Sequence, residues 1–298
     1  MKDLIEYYYN LVIDKLFIED DKNHFILNNH DFYFVYFSRT KEDLEDILFV
    51  SNELKQKGIN VHNIKLNINN SYLTKVDGID YVLLEVFNKD EIIDIFSMNK
   101  YNKKLSLNGI KSNLYRNNWA YLWSVKVDYI ESQLNEIQYD KIIDNSIDYY
   151  IGLSENAIQL YINKSEVIEP TYGYLEHYTN NYDTSNYLSP LNIRKVNIGN
   201  LFGKYIKYKL YNSSFSYKII NEIRLMIESK IDKYMLLATL MFQEEFFDEV
   251  KKIITSSEDK KNENVIQRYL SKVSELENIL RYVQNEIVDE QIINWLEE

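Results

Sequence analysis

Residues 71–87 read SYLTKVDGIDYVLLEVF and contain the strongest indication of local structure in the chain. Asp77 and Gly78 form a dipeptide that favours a tight type I′ turn, in which both central residues adopt positive φ. Runs rich in Val, Leu, Ile and Tyr flank this dipeptide on both sides, as expected for two paired strands. The stretch therefore predicts a β-hairpin in the N-terminal third of the chain.

Two further strands and two helices are predicted before this hairpin, from the alternation or the helical spacing of apolar residues. The predicted strands are HFILN (24–28) and DFYFVYF (31–37), and the predicted helices cover residues 4–16 and 41–57. Asn28–His30 is the expected turn between the strands, and Thr40 is the expected N-cap of the second helix, with Asp43 three residues on. These elements predict a small antiparallel sheet with one helix packed on it.

Beyond the hairpin the pattern becomes mainly helical. Helices are predicted over residues 112–137, 139–163, 217–229, 233–254 and 263–297. The stretch 164–203 is irregular and holds both prolines of the chain, Pro170 and Pro190, and long irregular segments are often functional sites or their remnants. We therefore expect an α+β fold, with a small N-lobe over residues 1–88 and a large, mainly helical C-lobe over residues 89–298.

The composition excludes several classes of protein. A formal net charge of -12 disfavours nucleic-acid binding, which needs a basic surface. The absence of Cys excludes disulfides, thiolate metal sites and cysteine nucleophiles. The most apolar run, residues 234–242, is far shorter than the roughly 20 residues of a membrane span, and the first ten residues lack the features of a signal peptide. We expect a cytoplasmic protein that neither spans a membrane nor binds nucleic acid.

Five stretches carry a resemblance to a known fold. They are FYFVYFSR (32–39), LEDILFVSNELKQKGINV (44–61), YVLLEVF (81–87), SPLNIRKVNIGNLFGKYIKY (189–208) and LLATLMFQEEFFDEVKKII (236–254). They resemble the protein-kinase-like fold of the aminoglycoside and choline phosphotransferases, and within it the spore-coat-associated kinase-like proteins of endospore-forming bacteria. The resemblance runs over most of the chain and implies a two-lobed protein-kinase-like fold in a spore coat context.

Phosphotransfer needs a small set of charged groups, and the resemblance implies where each would lie. The lysine of the third strand aligns with Tyr36, and the turn that covers the phosphates aligns with Asn28–His30, which contains no glycine. The aspartate that holds magnesium aligns with Ser189–Pro190, which is followed by Asn192, and a second loop aspartate aligns with Asn200. Magnesium prefers anionic oxygen ligands, so the aligned residues predict weak metal binding.

The catalytic loop aligns with TYGYLEHYTNN, residues 171–181. If Gly173 is the loop glycine, Tyr172 replaces the loop histidine and Tyr174 replaces the catalytic aspartate. A tyrosine with a pKa near ~10 is a poor base at neutral pH. Asn180 lies within a residue of the position expected for the metal-binding asparagine.

Because these charged positions are lost together, we predict a catalytically inactive kinase-like protein, or pseudokinase. It has a structural or docking role, possesses a protein partner, and uses no cofactor, metal or bound nucleotide; the family resemblance implies the spore coat or its assembly.

Two other functions stay open from the sequence. One is an active small-molecule phosphotransferase with relocated residues, such as Glu176 or Asp183. The other is a helical protein-interaction module unrelated to kinases, favoured if the N-terminal strands do not form one sheet on the helix over residues 41–57.

His24 and His30 flank the predicted turn and could approach each other around a metal. Histidines at an exposed turn are more commonly solvent-facing polar residues than metal ligands.

Overall fold

The structure is a computed structural model. It describes residues 1–19, 22–58, 61–86, 110, 114, 118–136, 141–166, 168, 174–175, 189–193, 195–212, 221, 232–255 and 259–297. The chain divides into two compact units. The N-terminal unit comprises Met1–Tyr115 and Gly173–Lys195, and the helical unit comprises Arg116–Tyr172 and Val196–Glu298. The lobe boundary expected after residue 88 lies outside the described residues and stays a prediction.

One antiparallel sheet forms the centre of the N-terminal unit. Its strands are β1 (Phe17–Glu19), β2 (Lys22–Leu27), β3 (His30–Tyr36), β4 (Asn63–Ile64), β5 (Thr74–Val76) and β6 (Ile79–Val86). The strand order is β1-β2-β3-β6-β4, and β5 pairs with β6. Both predicted turns are present: Asn28 and Asn29 have φ of 50° and 64°, and Asp77 and Gly78 have φ of 50° and 84°.

Two helices of this unit pack on opposite faces of the sheet. Helix α1 (Lys2–Tyr9) contributes to a core with Phe32 and Phe34 of β3, whereas helix α2 (Lys41–Gln56) belongs to a core against which Tyr33 and Val35 pack. Because successive side chains of a strand alternate between faces, β3 is apolar and aromatic on both sides. The unit is therefore a three-layer arrangement of helix, sheet and helix.

Local sequence explains where α2 begins and where α1 ends. The Thr40 hydroxyl accepts a hydrogen bond of 3.1 Å from the backbone N–H of Asp43, and the Asp43 carboxylate accepts one of 3.0 Å from the backbone N–H of Thr40. This capping box confirms the predicted start of α2. The first helix is shorter than the predicted 4–16, because Asn10 adopts the left-handed conformation with φ of 50° and ends it.

The helical unit contains seven helices among its described residues. They are α3 (Trp119–Glu136), α4 (Lys141–Lys164), α5 (Ile198–Asn212), α6 (Lys233–Met241), α7 (Glu244–Thr255), α8 (Asp259–Ser271) and α9 (Val273–Val283), followed by a π-helical turn (Gln284–Val288) and a 3₁₀ turn (Asn294–Glu297). Trp119 and Trp123 are buried as expected for core residues, and the Trp123 ring stacks on Phe242 at 4.8 Å between centroids.

Several predicted helical boundaries are corrected by the structure. The predicted helix over residues 233–254 is two helices, divided at Phe242 and Gln243, and the predicted final helix over residues 263–297 is likewise divided. The irregular segment predicted over residues 164–203 contains a 3₁₀ turn (Pro190–Asn192) and the strands β7 (Tyr174–Leu175) and β8 (Lys195–Val196), and α5 already begins at Ile198. The helix predicted over residues 217–229 lies outside the described residues.

Taken with the sheet, these helices confirm the α+β class, with one small antiparallel-sheet unit and one mainly helical unit. None of the described helices combines the length and the apolar composition that a membrane span requires.

Candidate functional site

A kinase-type lysine site would need a lysine among the β3 side chains that point toward α2. Protein kinases pair a lysine of the third strand with a glutamate of the helix that packs on the sheet, so that lysine must face the helix. Tyr33 and Val35 are the β3 residues that pack against the α2 core. Tyr36 follows the alternation onto the other face with Phe34; it is 63% exposed, and its ring centroid lies 6.3 Å from that of Tyr81. The β3 side chains packed against the α2 core are thus a tyrosine and a valine, and neither is a lysine.

A histidine and an aspartate occupy the neighbouring positions on the α2 side of the sheet. His24 is paired with Tyr33 across β2 and β3, and its ring stacks on the Tyr33 ring at 4.5 Å. The Nε2 atom of His24 lies 2.6 Å from Oδ1 of Asp31. His24 is buried, so this part of the α2 side of the sheet consists of a packed aromatic stack and an acidic side chain.

The possible His24–His30 metal site does not form. His30 belongs to the opposite face of the hairpin, because its register partner is Leu27, whereas that of Tyr33 is His24. The Nδ1 atom of His30 lies 3.0 Å from Oε1 of Glu85. Within the part of the chain that the structure describes, no group of three or more His, Cys, Asp or Glu residues could hold a metal ion.

Glu85 is the centre of a polar cluster near the end of β6. Asn63 donates a hydrogen bond of 3.2 Å to its Oε2 atom, and Lys65 lies 3.4 Å from the same oxygen. Burial raises the pKa of Glu85, but the hydrogen bonds from His30 and Asn63 and the charge of Lys65 outweigh it, so the pKa lies below its usual value. Burial also lowers the pKa of Lys55, which donates to the Asn63 side chain. The carboxylate is held charged and is already hydrogen-bonded.

The hairpin of β1 and β2 was not predicted from the sequence. Strand β1 ends at Glu19 and β2 begins at Lys22, so Asp20 and Asp21 connect them. In protein kinases the glycine-rich loop over the phosphates belongs to the first hairpin, ahead of the strand that carries the lysine. Here the corresponding sequence is acidic and has no glycine. A three-residue strand is too short for an alternation pattern, which is why the prediction placed this turn at Asn28–His30.

Arg39 holds the segment that aligns with the metal-binding loop. Its guanidinium donates hydrogen bonds of 2.9 Å to the carbonyl oxygen of Ile193 and 3.0 Å to that of Leu191. Ser189 is the N-cap of the 3₁₀ turn Pro190–Asn192, and it makes no side-chain capping hydrogen bond. Sequence reasoning did not single out Arg39, because its partners lie more than 150 residues away.

The predicted catalytic-loop residues fall mostly outside the described residues. Tyr172, Gly173, Asn180 and the alternative carboxylates Glu176 and Asp183 all lie there, and Tyr174 belongs to β7. Their roles stay predictions.

Two asparagines at the start of α5 are buried and hydrogen-bonded. Oδ1 of Asn197 accepts a hydrogen bond of 2.7 Å from the backbone N–H of Gly199, and Nδ2 donates one of 2.8 Å to Asp232. Asn200, the residue aligned with the second loop aspartate, donates a hydrogen bond of 3.1 Å to the hydroxyl of Thr239. The Asn197 side chain therefore caps α5 and bonds to Asp232 at the start of α6, and Asn200 joins α5 to α6, which is a structural use of both positions.

Comparison with protein families identifies the chain. A family described as "Spore coat putative kinase YutH" matches residues 2–179, which is more than half of the sequence. The chain belongs to this family. The match confirms the predicted spore coat kinase-like resemblance. No curated protein sequence matches the chain.

Solved structures show the fold of this YutH-family chain. An aminoglycoside phosphotransferase from Alicyclobacillus acidocaldarius superposes with a TM-score of 0.62 at 8% identity, covering 95% of each chain. The AMP-bound spectinomycin phosphotransferase APH(9)-Ia gives 0.56 at 11% identity, over 91% of this chain and 98% of that one. A microcompartment-associated aminopropanol kinase gives 0.54 at 10% identity, over 95% and 97%. The fold is therefore kinase-like, and the alternative of a helical module unrelated to kinases is wrong.

Proposed function

We propose that this YutH-family chain is a pseudokinase: a kinase-like protein that transfers no phosphate and acts as a structural or docking component of the spore coat or of its assembly. The observation that carries the proposal is the pair Tyr33 and Val35 at the α2-facing positions of β3. A triphosphate bound beneath the sheet needs a cation there, and neither side chain supplies one.

Electrostatics around the same sheet also support the proposal. The first hairpin connection is acidic at Asp20 and Asp21, where a kinase offers backbone N–H groups to phosphate, so like charges would repel a nucleotide. On the α2 face, Asp31 lies beside His24 and adds a carboxylate. Each of these acidic features would weaken nucleotide binding, and both would repel the negatively charged phosphates.

The residues aligned with the magnesium ligands support the same conclusion. Ser189 and Asn192 offer neutral oxygens, whereas Mg²⁺ is usually bound through one or two carboxylates together with phosphate oxygens. The Arg39 hydrogen bonds hold the backbone of this segment beside the start of α2. A guanidinium so close to the segment would also repel a divalent cation.

A thermal-shift titration of the full chain tests the proposal. A ligand present at 100 times its Kd stabilises a folded protein by about 2.7 kcal/mol, which raises the melting temperature of a protein of this size by several degrees. We expect no shift with Mg-ATP or Mg-ADP at about 5 mM, compared with magnesium alone and with ATP plus a chelator. A shift that needs both nucleotide and magnesium would contradict the pseudokinase proposal.

Such a shift would instead support the second candidate, an active small-molecule phosphotransferase. The fold shared with aminoglycoside, spectinomycin and aminopropanol kinases favours amine-bearing alcohols as the acceptors to assay. Glu176 and Asp183 are the carboxylates to replace, as Glu176→Gln and Asp183→Asn. Phosphate transfer that either substitution abolishes, in a protein that still folds, would establish the second candidate.

A further inference from the structure

Helix α3 is apolar on two sides, and only one of them is buried. Trp119, Trp123, Val127 and Ile130 form the buried side and are between 1% and 4% exposed. On the other side Tyr121, Leu122, Val125 and Tyr129 are 61%, 41%, 48% and 37% exposed. We call these four residues the α3 stripe. Tyr121, Val125 and Tyr129 are spaced i, i+4, i+8, so they lie in one row along the helix.

The α3 stripe has the dimensions and composition of a small docking surface. From Tyr121 to Tyr129 the helix rises by about 12 Å, which matches two turns of a second helix laid alongside. Single exposed apolar residues are ordinary, but a contiguous row marks an interaction site. Tyrosine is also enriched at the centres of protein interfaces.

Acidic groups lie along both edges of the stripe. Asp128 is exposed one turn beyond Val125, on one edge. On the opposite edge Lys126 lies 2.7 Å from Asp248 and 3.6 Å from Glu244, both on α7, so two carboxylates offset its charge.

Lys251 is the second cation beside the stripe, with its Nζ atom 5.2 Å from the centre of the Tyr129 ring. Three carboxylates (Asp128, Glu244 and Asp248) therefore lie beside the stripe together with two lysines. The local charge is negative, in keeping with the formal net charge of -12 for the whole chain.

We propose that the α3 stripe docks a basic amphipathic helix of another protein. Apolar side chains of that helix pack on Tyr121, Val125 and Tyr129, and its lysines or arginines reach Asp128. The charge argues against two other occupants: a second copy of this acidic chain would be repelled, and so would an anionic lipid surface. The inference rests on the proposed docking function and names the chemistry of its partner.

A designed peptide provides the test. The probe is a labelled helix built from Leu, Ala and Lys, with Leu at i, i+3, i+4 and i+7, and its control has Glu in place of every Lys. Fluorescence anisotropy measures binding to the full-length protein without nucleotide or magnesium. We expect the basic peptide to bind, with an affinity that falls as salt screens the charges, and the acidic peptide not to bind.

Three variants locate the site. Tyr121→Ser combined with Val125→Ser removes the centre of the stripe and should weaken binding at least about tenfold, as truncation of interface anchors does. Asp128→Lys should weaken it through the charge alone. Ile162→Ser, at a 50% exposed position on α4, is the matched control and should bind like the unaltered protein. Equal melting temperatures would show that all three remain folded.

Failure of the basic peptide to bind would overturn the inference, as would equal binding of the acidic peptide or equal weakening by Ile162→Ser. Light scattering that reveals a dimer, lost in the Tyr121→Ser variant, would identify a second copy as the occupant and would also overturn it. Because the assay contains no nucleotide, its failure leaves the pseudokinase proposal standing. A positive nucleotide titration would in turn leave the docking result intact.

Discussion

The guanidinium of Arg39 donates a hydrogen bond of 2.9 Å to the carbonyl oxygen of Ile193, 154 residues further along the chain. The Ile193 side chain is buried in the core that α2 forms with the sheet, and Leu191 packs against that core. The contact engages backbone atoms, so it does not depend on which side chains the 190–193 segment carries. Arg39 therefore adds two hydrogen bonds to the apolar packing of this segment on the core of α2 and the sheet.

Replacing Arg39 by methionine should loosen this attachment. The substitution removes both hydrogen bonds but keeps an unbranched side chain. We expect the free energy of unfolding to fall by about 2 kcal/mol, because two carbonyl groups lose a charged donor. The amide of Ile193, which donates to the carbonyl of Pro190 at 3.1 Å, should exchange its hydrogen faster, as measured by mass spectrometry. Lys75→Met removes an exposed cation and is the control; unchanged exchange in Arg39→Met would contradict the expectation.

Because α5 packs closely against α6, replacing either of two glycines on α5 by alanine should lower the stability of the protein. A Cβ atom at Gly199 would lie 2.2 Å from the carbonyl oxygen of Asp232, and one at Gly203 would lie 2.8 Å from Thr239. Alanine at Gly199 should therefore cost about 3 kcal/mol of stability, because backbone atoms must move apart, and Gly203→Ala should cost less. Urea unfolding measures both.

The matched control for these substitutions is Gly152→Ala on α4. A Cβ atom there meets nothing within 4 Å, so the higher helix propensity of alanine should stabilise the protein by up to about 1 kcal/mol. Equal effects of alanine at Gly152 and at Gly199 would contradict the packing argument.

Lys207 makes stability depend on pH. Its Nζ atom donates a hydrogen bond of 2.6 Å to the carbonyl of Phe242, at the end of α6. Burial lowers the pKa of Lys207 to about 8, although Glu244 and Glu245 act in the opposite direction. Between about pH 8 and the usual pKa of 10.5, the folded state has lost a proton that the unfolded state keeps. The free energy of unfolding therefore rises with pH in this window.

Urea unfolding across the window tests this contribution. Lys207→Met should flatten the rise, whereas Lys209→Met on the same helix should leave it in place. An identical pH profile for Lys207→Met and the unaltered protein would refute the assignment.

Because of its buried tyrosines, the protein should lose stability as the pH rises above about 10. Burial raises the pKa of Tyr211 and Tyr269 well above the usual 10, and Glu245, which accepts a hydrogen bond of 3.0 Å from Tyr269, raises the latter further. Their contribution to stability is complete below pH 10 and is lost above it, because only the unfolded state ionises there. Tyr269→Phe should reduce this loss, measured by unfolding and by tyrosinate absorbance. Tyr7→Phe, at a 68% exposed position, is the control and should not.

The features that the sequence did not predict depend on contacts between residues that are far apart in the chain. The helix predicted over residues 233–254 is interrupted at Gln243, which is buried and accepts a hydrogen bond of 3.1 Å from the Tyr211 hydroxyl. No local pattern marks that break, because its partner lies 32 residues earlier. The face of β3 that meets α2 was equally hidden, since FYFVYF is aromatic or apolar at every position and alternation cannot distinguish the two sides.

The sequence by itself determined the features whose partners lie within a few residues. These are the turns at Asn28–Asn29 and Asp77–Gly78, the capping box of Thr40 and Asp43, the α+β class and the family resemblance. Only the tertiary structure decided that Tyr33 and Val35 face α2, that Arg39 holds Ile193, and that the α3 stripe remains exposed. Short-range hydrogen bonds and backbone preferences act through neighbouring residues, whereas burial and long-range contacts exist only after distant segments have packed together.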